Sequence, residues 1–295
     1  YMSEENKFDF LRRNYREKKP RLKGATEIRG TYYTPVGPNY LDDLFFTMGD
    51  YIDSLKFSGG SFTLMPVDAV RTIIAKAHTH NVQVSTGGFI EYVLTQGPEA
   101  VDKYLEACKN LDFDIIELSC GFISIPIDDW SRLIDKVQEM GMTPKPELGI
   151  QFGAGGDSPV HELKKEGTGD AGWVVHQAKR FLSQGVPRLM IESEGITENV
   201  ESWRTDVVAR FINELGLNNL MFEAADPRVF AWYIKNYGPD VNLFVDHSQI
   251  VQLEALRQGI WGTRSMWGRV LSYNPESLKQ IEYFNNKDKL LSCNK

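Results

Sequence analysis

The chain has 295 residues, 42% of them hydrophobic and 12% aromatic, which is enough to build a large buried core and excludes an intrinsically disordered chain. A formal net charge of −7 argues against broad binding to nucleic acid or to an anionic membrane surface, since either calls for a basic face. No apolar run reaches the roughly 18 residues of a membrane span, and Cys108, Cys120 and Cys293 lie far apart without a C-x-x-C, so neither a disulfide framework nor a zinc site is indicated.

In chain order, the basic leader ENKFDFLRRNYREKKPRLKG is diluted by Glu4, Glu5, Asp9 and Glu17, has no apolar signal core, and reads as a solvated helix or tail. It makes an N-terminal arm of residues 1–24. Beyond it, short β-rich segments alternate with longer segments of helical period. Strands are predicted over Thr26–Thr31, Tyr51–Ser58, Val82–Gly87, Asp114–Cys120, Thr143–Gln151, Arg188–Glu194, Asn219–Ala225 and Asn242–Asp246. Helices are predicted over Tyr40–Gly49, Pro66–His80, Pro98–Asn110, Ile127–Met140, Gly169–Gln184, Asn199–Leu215, Pro227–Tyr237 and Ser248–Gln258. Pro66 and Pro98 fall in first turns, and Gly141, Gly185, Gly216 and Gly238 fall just past last turns. His78 and His80, near the end of a predicted helix, face different sides of it and read as surface residues.

Eight βα units predict an α/β fold, a single (β/α)8 TIM barrel over residues 25–274, followed by a C-terminal helical extension over 275–295. The competing doubly wound open sheet would carry a G-x-G-x-x-G after its first strand, and none is present. The expected location is the cytoplasm, with no nucleic-acid or membrane partner. A homo-oligomer is a reasonable expectation that has no sequence signature of its own.

In such a barrel the active site forms at the C-terminal ends of the strands. Those ends carry Glu117, Lys145 with Glu147, Glu192 with Glu194, and Glu223, each after an apolar segment. Alternation puts Lys145 and Glu147 on one face, and Glu192 and Glu194 on one face, about 6 to 7 Å apart. Buried carboxylates need cations. Three possibilities stay open: a divalent metal such as Mg²⁺ held by Glu117, Glu147, Glu192 and Glu223, a metal-free ring of ion pairs with Lys56, Lys145 and Arg188, or both. Lys56 ends the second strand and is followed by Gly59-Gly60, and Gly87-Gly88 follows the third, so that backbone amides can approach an anion. The stretch Phe152–Gly172 reads either as an active-site lid or as a disordered surface loop. Asp246 and His247 close the eighth strand, with His247 expected to hydrogen-bond a ligand; Arg257 and Arg269 are expected to pair at the surface.

The successive motifs YIDSLKFSGG, STGGFIEYV, IIELSCGF, PELG, LMIESEG and LMFEA, with the closing VNL and LEALRQG, resemble in order the phosphosulfolactate synthase family, including its plant heat-stress-associated 32-kilodalton relatives. The resemblance spans nearly the whole chain. It implies a (β/α)8 barrel and, for the enzymes, Mg²⁺-dependent addition of sulfite to phosphoenolpyruvate, a small anionic substrate. Lys56, Lys145 and Glu147 then become candidate catalytic residues, with Arg29, Gly59, Gly60, Gly87, Gly88 and His247 at the substrate and the four glutamates at the metal. The alternative is a catalytically diverged barrel acting as a heat-stress-associated binding protein. Three departures bear on this choice. Gly149 is followed by Ile150 and Gln151 where the synthases carry two lysines, Arg29-Gly30-Thr31 replaces an aspartate-lysine-glycine, and Glu192-Ser193-Glu194 lacks an arginine between its glutamates. Lys145 or Arg29 is the expected compensation.

Overall fold

The computed structural model describes residues 8, 10–151, 161, 170–262 and 271. The C-terminal extension, Cys293, Arg269 and most of the stretch expected as a lid lie outside the described residues. Eight strands, β1 Thr26–Arg29, β2 Ser54–Lys56, β3 Gln83–Ser85, β4 Ile115–Leu118, β5 Thr143–Leu148, β6 Leu189–Ile191, β7 Leu220–Glu223 and β8 Asn242–Asp246, close into one parallel barrel in sequence order. The last strand pairs with the first, Arg29 standing opposite Asp246. This is the expected TIM barrel.

The helices follow from apolar spacing. Ile127–Glu139 buries Trp130, Leu133, Ile134 and Val137, one stripe of a 3.6-residue period, with Asp128 and Asp129 in its first turn and Lys136 in its last. Pro98–Asn110 and Pro227–Tyr237 have the expected bounds. The predicted helix Asn199–Leu215 begins only at Thr205, because the chain after β6 first folds back so that the Arg204 amide donates to the Ile196 carbonyl at 2.8 Å. A five-residue helix, Ile90–Leu94, follows β3 and was not foreseen. No helix among the described residues is long and apolar enough to cross a membrane.

Two apolar clusters form. The larger fills the space between strands and helices; the smaller, Ala25, Met190, Met221 and Phe244, lies inside the barrel. The barrel interior is thus apolar toward β6, β7 and β8. Toward β1–β5 it holds Glu27, Ser54, Ser85 and Lys145 instead, all buried.

At the N-terminal end of the barrel the leader corrects its expected solvated state. Residues 12–17 carry no helix, and the cations are consumed by backbone carbonyls. Lys19 Nζ donates to the carbonyls of Gly49, Ile52 and His80 at 2.8, 3.0 and 2.6 Å, joining the ends of the helices Pro38–Met48 and Val67–Thr79. Helix C-termini leave unpaired carbonyls with partial negative charge, which explains why lysine is drawn there. Arg21 reaches the Asp50 carbonyl at 2.5 Å and Asp53 at 3.1 Å, and Arg16 pairs with Glu254 at 2.9 Å. Arg257, expected at the surface, is fully buried and donates to the carbonyls of Pro239, Val241 and Ala25 at 2.5, 2.7 and 3.4 Å. Burial pulls its guanidinium down to about 9. Arg188 likewise points to this end, donating to the Leu22 carbonyl at 2.9 Å, so it is no member of the carboxylate ring. His78 is exposed and bonded to Asp114, whereas His80 packs against the Phe45 ring.

Removing the Arg257 side chain strands three carbonyls without their charged donor. Arg257→Ala is expected to cost about 3 kcal/mol or more of unfolding free energy, read from the denaturant midpoint; a change near zero would show that water replaces the guanidinium.

Candidate active site

Alternation along the strands aims Arg29, Lys56, Glu117, Glu147, Glu192 and Glu223 at the C-terminal mouth of the barrel, where they line a cavity of ≈590 Å³. Lys56 Nζ is the hub. It lies 2.7 Å from Glu117 Oε2, 3.2 Å from Glu147 Oε2 and 4.5 Å from the centre of the Phe244 ring. Arg29 pairs with Glu223 at 2.7 Å. One layer deeper, Lys145 Nζ donates to Glu27 Oε1 at 2.5 Å and to Ser85 Oγ at 3.0 Å, and approaches Glu117 at 3.3 Å. Ser54 Oγ completes this layer by donating to Glu27 Oε2 at 2.8 Å. Glu117 is fully buried, and its lysine contacts lie off hydrogen-bonding directions, so its oxygens are held by charge alone.

The charges do not balance. Five carboxylates (Glu27, Glu117, Glu147, Glu192 and Glu223) face three cations (Arg29, Lys56 and Lys145), and two of the carboxylates bear the consequence. Burial pushes Glu27 up, but Lys145 and Lys56 outweigh it and hold the carboxyl below its ordinary range. Glu223 behaves alike, burial being outweighed by Lys56 and Arg29. Glu147 differs: burial, then the charge of Glu117, push it up to about 8 in spite of Lys56. Burial and the charges of Glu223 and Glu147 raise Glu192 well above the carboxylate range, and its proton is shared with Glu223 through a hydrogen bond. Burial alone would lower Lys56, yet the surrounding glutamates raise it well above its ordinary value. The ring therefore favours the protonated form of Glu147 and of Glu192.

Of the residues expected to bind substrate, Arg29, Gly59, Gly60 and Gly88 line the cavity. Gly87 does not: a Cβ there would stand 2.5 Å from the Phe57 carbonyl oxygen and 2.6 Å from the Gly59 nitrogen, so this glycine serves the close passage of two loops. His247 is also outside the lining, its Nδ1 hydrogen-bonded to the Tyr40 hydroxyl at 2.7 Å. Lys145 is buried beneath the ring and does not line the cavity, which removes it as a direct replacement for a family lysine. Glu194 leaves the expected face because β6 ends at Ile191; it accepts from Asn199 Nδ2 at 2.7 Å. The four glutamates expected at a metal, Glu117, Glu147, Glu192 and Glu223, all line this cavity, while among the described residues no group of three or more His, Cys, Asp or Glu side chains is positioned to hold a metal ion.

Sequence reasoning missed Glu27, although its position two residues before Arg29 places both on one strand face. It also missed Ser58, Ser119 and Glu198 in the lining and the aromatic rim of Tyr32, Tyr33, Phe89, Tyr92 and Phe122. Glu91, on the short helix Ile90–Leu94, accepts the amides of Gly121 and Phe122 at 3.0 and 2.7 Å and holds the loop after β4.

The raised Glu147 pKa makes a signed prediction. The folded protein binds this proton up to about pH 8, the unfolded chain only to about 4.5, so the stability it contributes is lost as pH rises through about 8. In metal-free buffer the melting temperature should fall across that window, and Glu147→Gln should flatten the fall. An unchanged profile in the variant would assign the proton elsewhere.

Comparison with known proteins agrees with this architecture. Residues 14–263 match the family (2R)-phospho-3-sulfolactate synthase (ComA). The chain is 37% identical to Protein HEAT-STRESS-ASSOCIATED 32 of Arabidopsis thaliana over 91% of this chain and 94% of that one. It is 25% identical to phosphosulfolactate synthase of Methanothermobacter thermautotrophicus, over 87% of this chain and 96% of the relative. Among solved structures, the carboxyl transferase domain of Rhizobium etli pyruvate carboxylase superposes with a TM-score of 0.53 at 11% identity, covering 90% of this chain and 47% of that chain, a likeness of fold alone. With its match running from the arm through the last barrel helix, the chain belongs to the phosphosulfolactate synthase (ComA) family.

Proposed function

We propose that the chain is a Mg²⁺-dependent enzyme that adds a nucleophile to a small phosphorylated acid, with sulfite and phosphoenolpyruvate as the first pair to test. The observation that carries this reading is the surplus of buried carboxylates over cations on the floor of the cavity. A purely structural ring would match its charges, whereas this one leaves room for further positive charge. The pair Glu192 and Glu223, which shares a proton, fits a divalent ion in place of that proton, and Mg²⁺ commonly rests on one or two carboxylates while water and substrate complete its shell. Bound there, the ion would stabilise the negative charge that builds on the substrate carboxylate during addition.

The chain's own residues account for the rest. Lys56 and Arg29, fixed by their glutamates, neutralise and orient the anionic substrate. The sulfite lone pair forms a C–S bond at the vinyl carbon, and the displaced π pair moves toward the carboxylate. The neighbouring carbon then needs a proton. In relatives with the strand-five lysines an ammonium is available; here Glu147, protonated at neutral pH, supplies it, its O–H bonding pair remaining on the carboxylate. Solvent returns the proton after product leaves.

The higher identity to Protein HEAT-STRESS-ASSOCIATED 32 favours a second reading, a barrel retained for binding rather than turnover. Kinetics separate the two. Coupled assays with phosphoenolpyruvate, sulfite and Mg²⁺ should give saturable turnover, which Glu147→Gln lowers by about a hundredfold or more while phosphoenolpyruvate binding persists. Lys56→Ala should lose binding itself. Neither turnover nor Mg²⁺-dependent binding in the wild-type chain would favour the binding protein.

A further inference from the structure

TIM barrels often seat a ligand phosphate between the loops after the seventh and eighth strands, at a helix N-terminus with free amides. In this chain those positions are closed from within. After β7, Asp226 accepts the Arg228 amide at 2.8 Å and its carboxylate is gripped by the same arginine's guanidinium at 2.6 Å. After β8, Asp246 accepts the Ser248 amide at 3.0 Å and the Ser248 hydroxyl at 2.6 Å. Gln249 locks the two loops together, accepting the Asp246 amide at 3.2 Å and donating to the Ala225 carbonyl at 2.5 Å. A dianion arriving there would meet two carboxylates already holding the donors it needs.

The opposite wall has the reverse balance. Ser58 lies two residues past Lys56, beyond the end of β2; it is 8% exposed, lines the cavity, and its buried Oγ has no hydrogen-bond partner among the described residues. Gly59, with φ +50°, and Gly60 form the corner of a turn that the Ser61 amide closes by donating to the Ser58 carbonyl at 3.1 Å, and both glycines line the cavity. Among the described residues no acceptor takes the Gly59 or Gly60 amide. Lys56 stands at the base of this wall. Glu91, which also lines the cavity, has both oxygens occupied by the amides of Gly121 and Phe122.

We propose that the phosphate of the substrate sits against Ser58 Oγ and the Gly59 and Gly60 amides, on the β2 side, and that the acid end extends across the ring to Glu192 and Glu223. This assignment rests on the reading of the site as one for a phosphorylated acid. It reverses the common polarity of phosphate binding in this fold, and it identifies Ser58 as a binding residue.

Two experiments on the full chain test it. In calorimetric titration of phosphoenolpyruvate with Mg²⁺ present, Ser58→Ala should weaken binding by about tenfold or more, while Ser248→Ala in the β8 loop stays within about twofold of wild type. Crystals soaked in tungstate, a tetrahedral dianion, should show an anomalous peak within hydrogen-bonding reach of Ser58 Oγ. Wild-type affinity in Ser58→Ala, or a peak at the Asp226 or Asp246 loops, overturns the assignment and leaves the proposed reaction standing. Failure of the wild-type chain to bind phosphoenolpyruvate with or without Mg²⁺ overturns both.

Discussion

The contact between Lys56 and the paired carboxylates of Glu117 and Glu147 is the constraint around which the mouth of the barrel is arranged. An ammonium so deeply buried stays charged only because carboxylates surround it, and Glu117 in turn stays buried only because Lys56 and Lys145 approach it. Each deeper layer follows from this one. Lys145 is shared with Glu27, Glu27 with Ser54, and Lys145 again with Ser85, so the polar half of the interior forms one connected network. The apolar half, Met190, Met221 and Phe244, limits where that network can extend, and the charge that finds no partner is pushed onto Glu147 and Glu192 at the open end.

The two ends of the barrel solve different problems with the same residue types. At the N-terminal end Lys19, Arg21 and Arg257 spend their donors on backbone carbonyls, which binds the leader to the barrel and seals it. At the C-terminal end Arg29 and Lys56 face carboxylates beside an open cavity. Cations satisfied by carbonyls are structural; cations set among an excess of carboxylates leave a site whose charge changes with protons, metal or substrate. That division agrees with stability at one face of a TIM barrel and chemistry at the other.

Much of this was legible in the sequence because periodicity carries it. Alternating β-rich and helical segments predicted the barrel, and glutamates placed after apolar strand segments marked Glu117, Glu147, Glu192 and Glu223. Height along the barrel was not legible. The face of Lys145 follows from alternation and its register sets it opposite Glu117, but the direction of its ammonium, down to Glu27 and Ser85 instead of up to the cavity, was not legible. Arg257 was misjudged because its partners are main-chain carbonyls, which leave no trace in residue identity. Glu194 was misplaced because the strand stopped three residues early, and alternation loses meaning once a strand ends.

The central claim is that the carboxylate surplus is completed by a divalent cation. It is tested most directly by calorimetric titration of Mg²⁺ into the substrate-free chain at pH 7, in buffers of different ionisation enthalpy. The account predicts binding that releases close to one proton per ion, the proton shared by Glu192 and Glu223, with that release lost in Glu192→Gln. Absence of binding, or binding with no proton release, would contradict it and return the ring to a metal-free network.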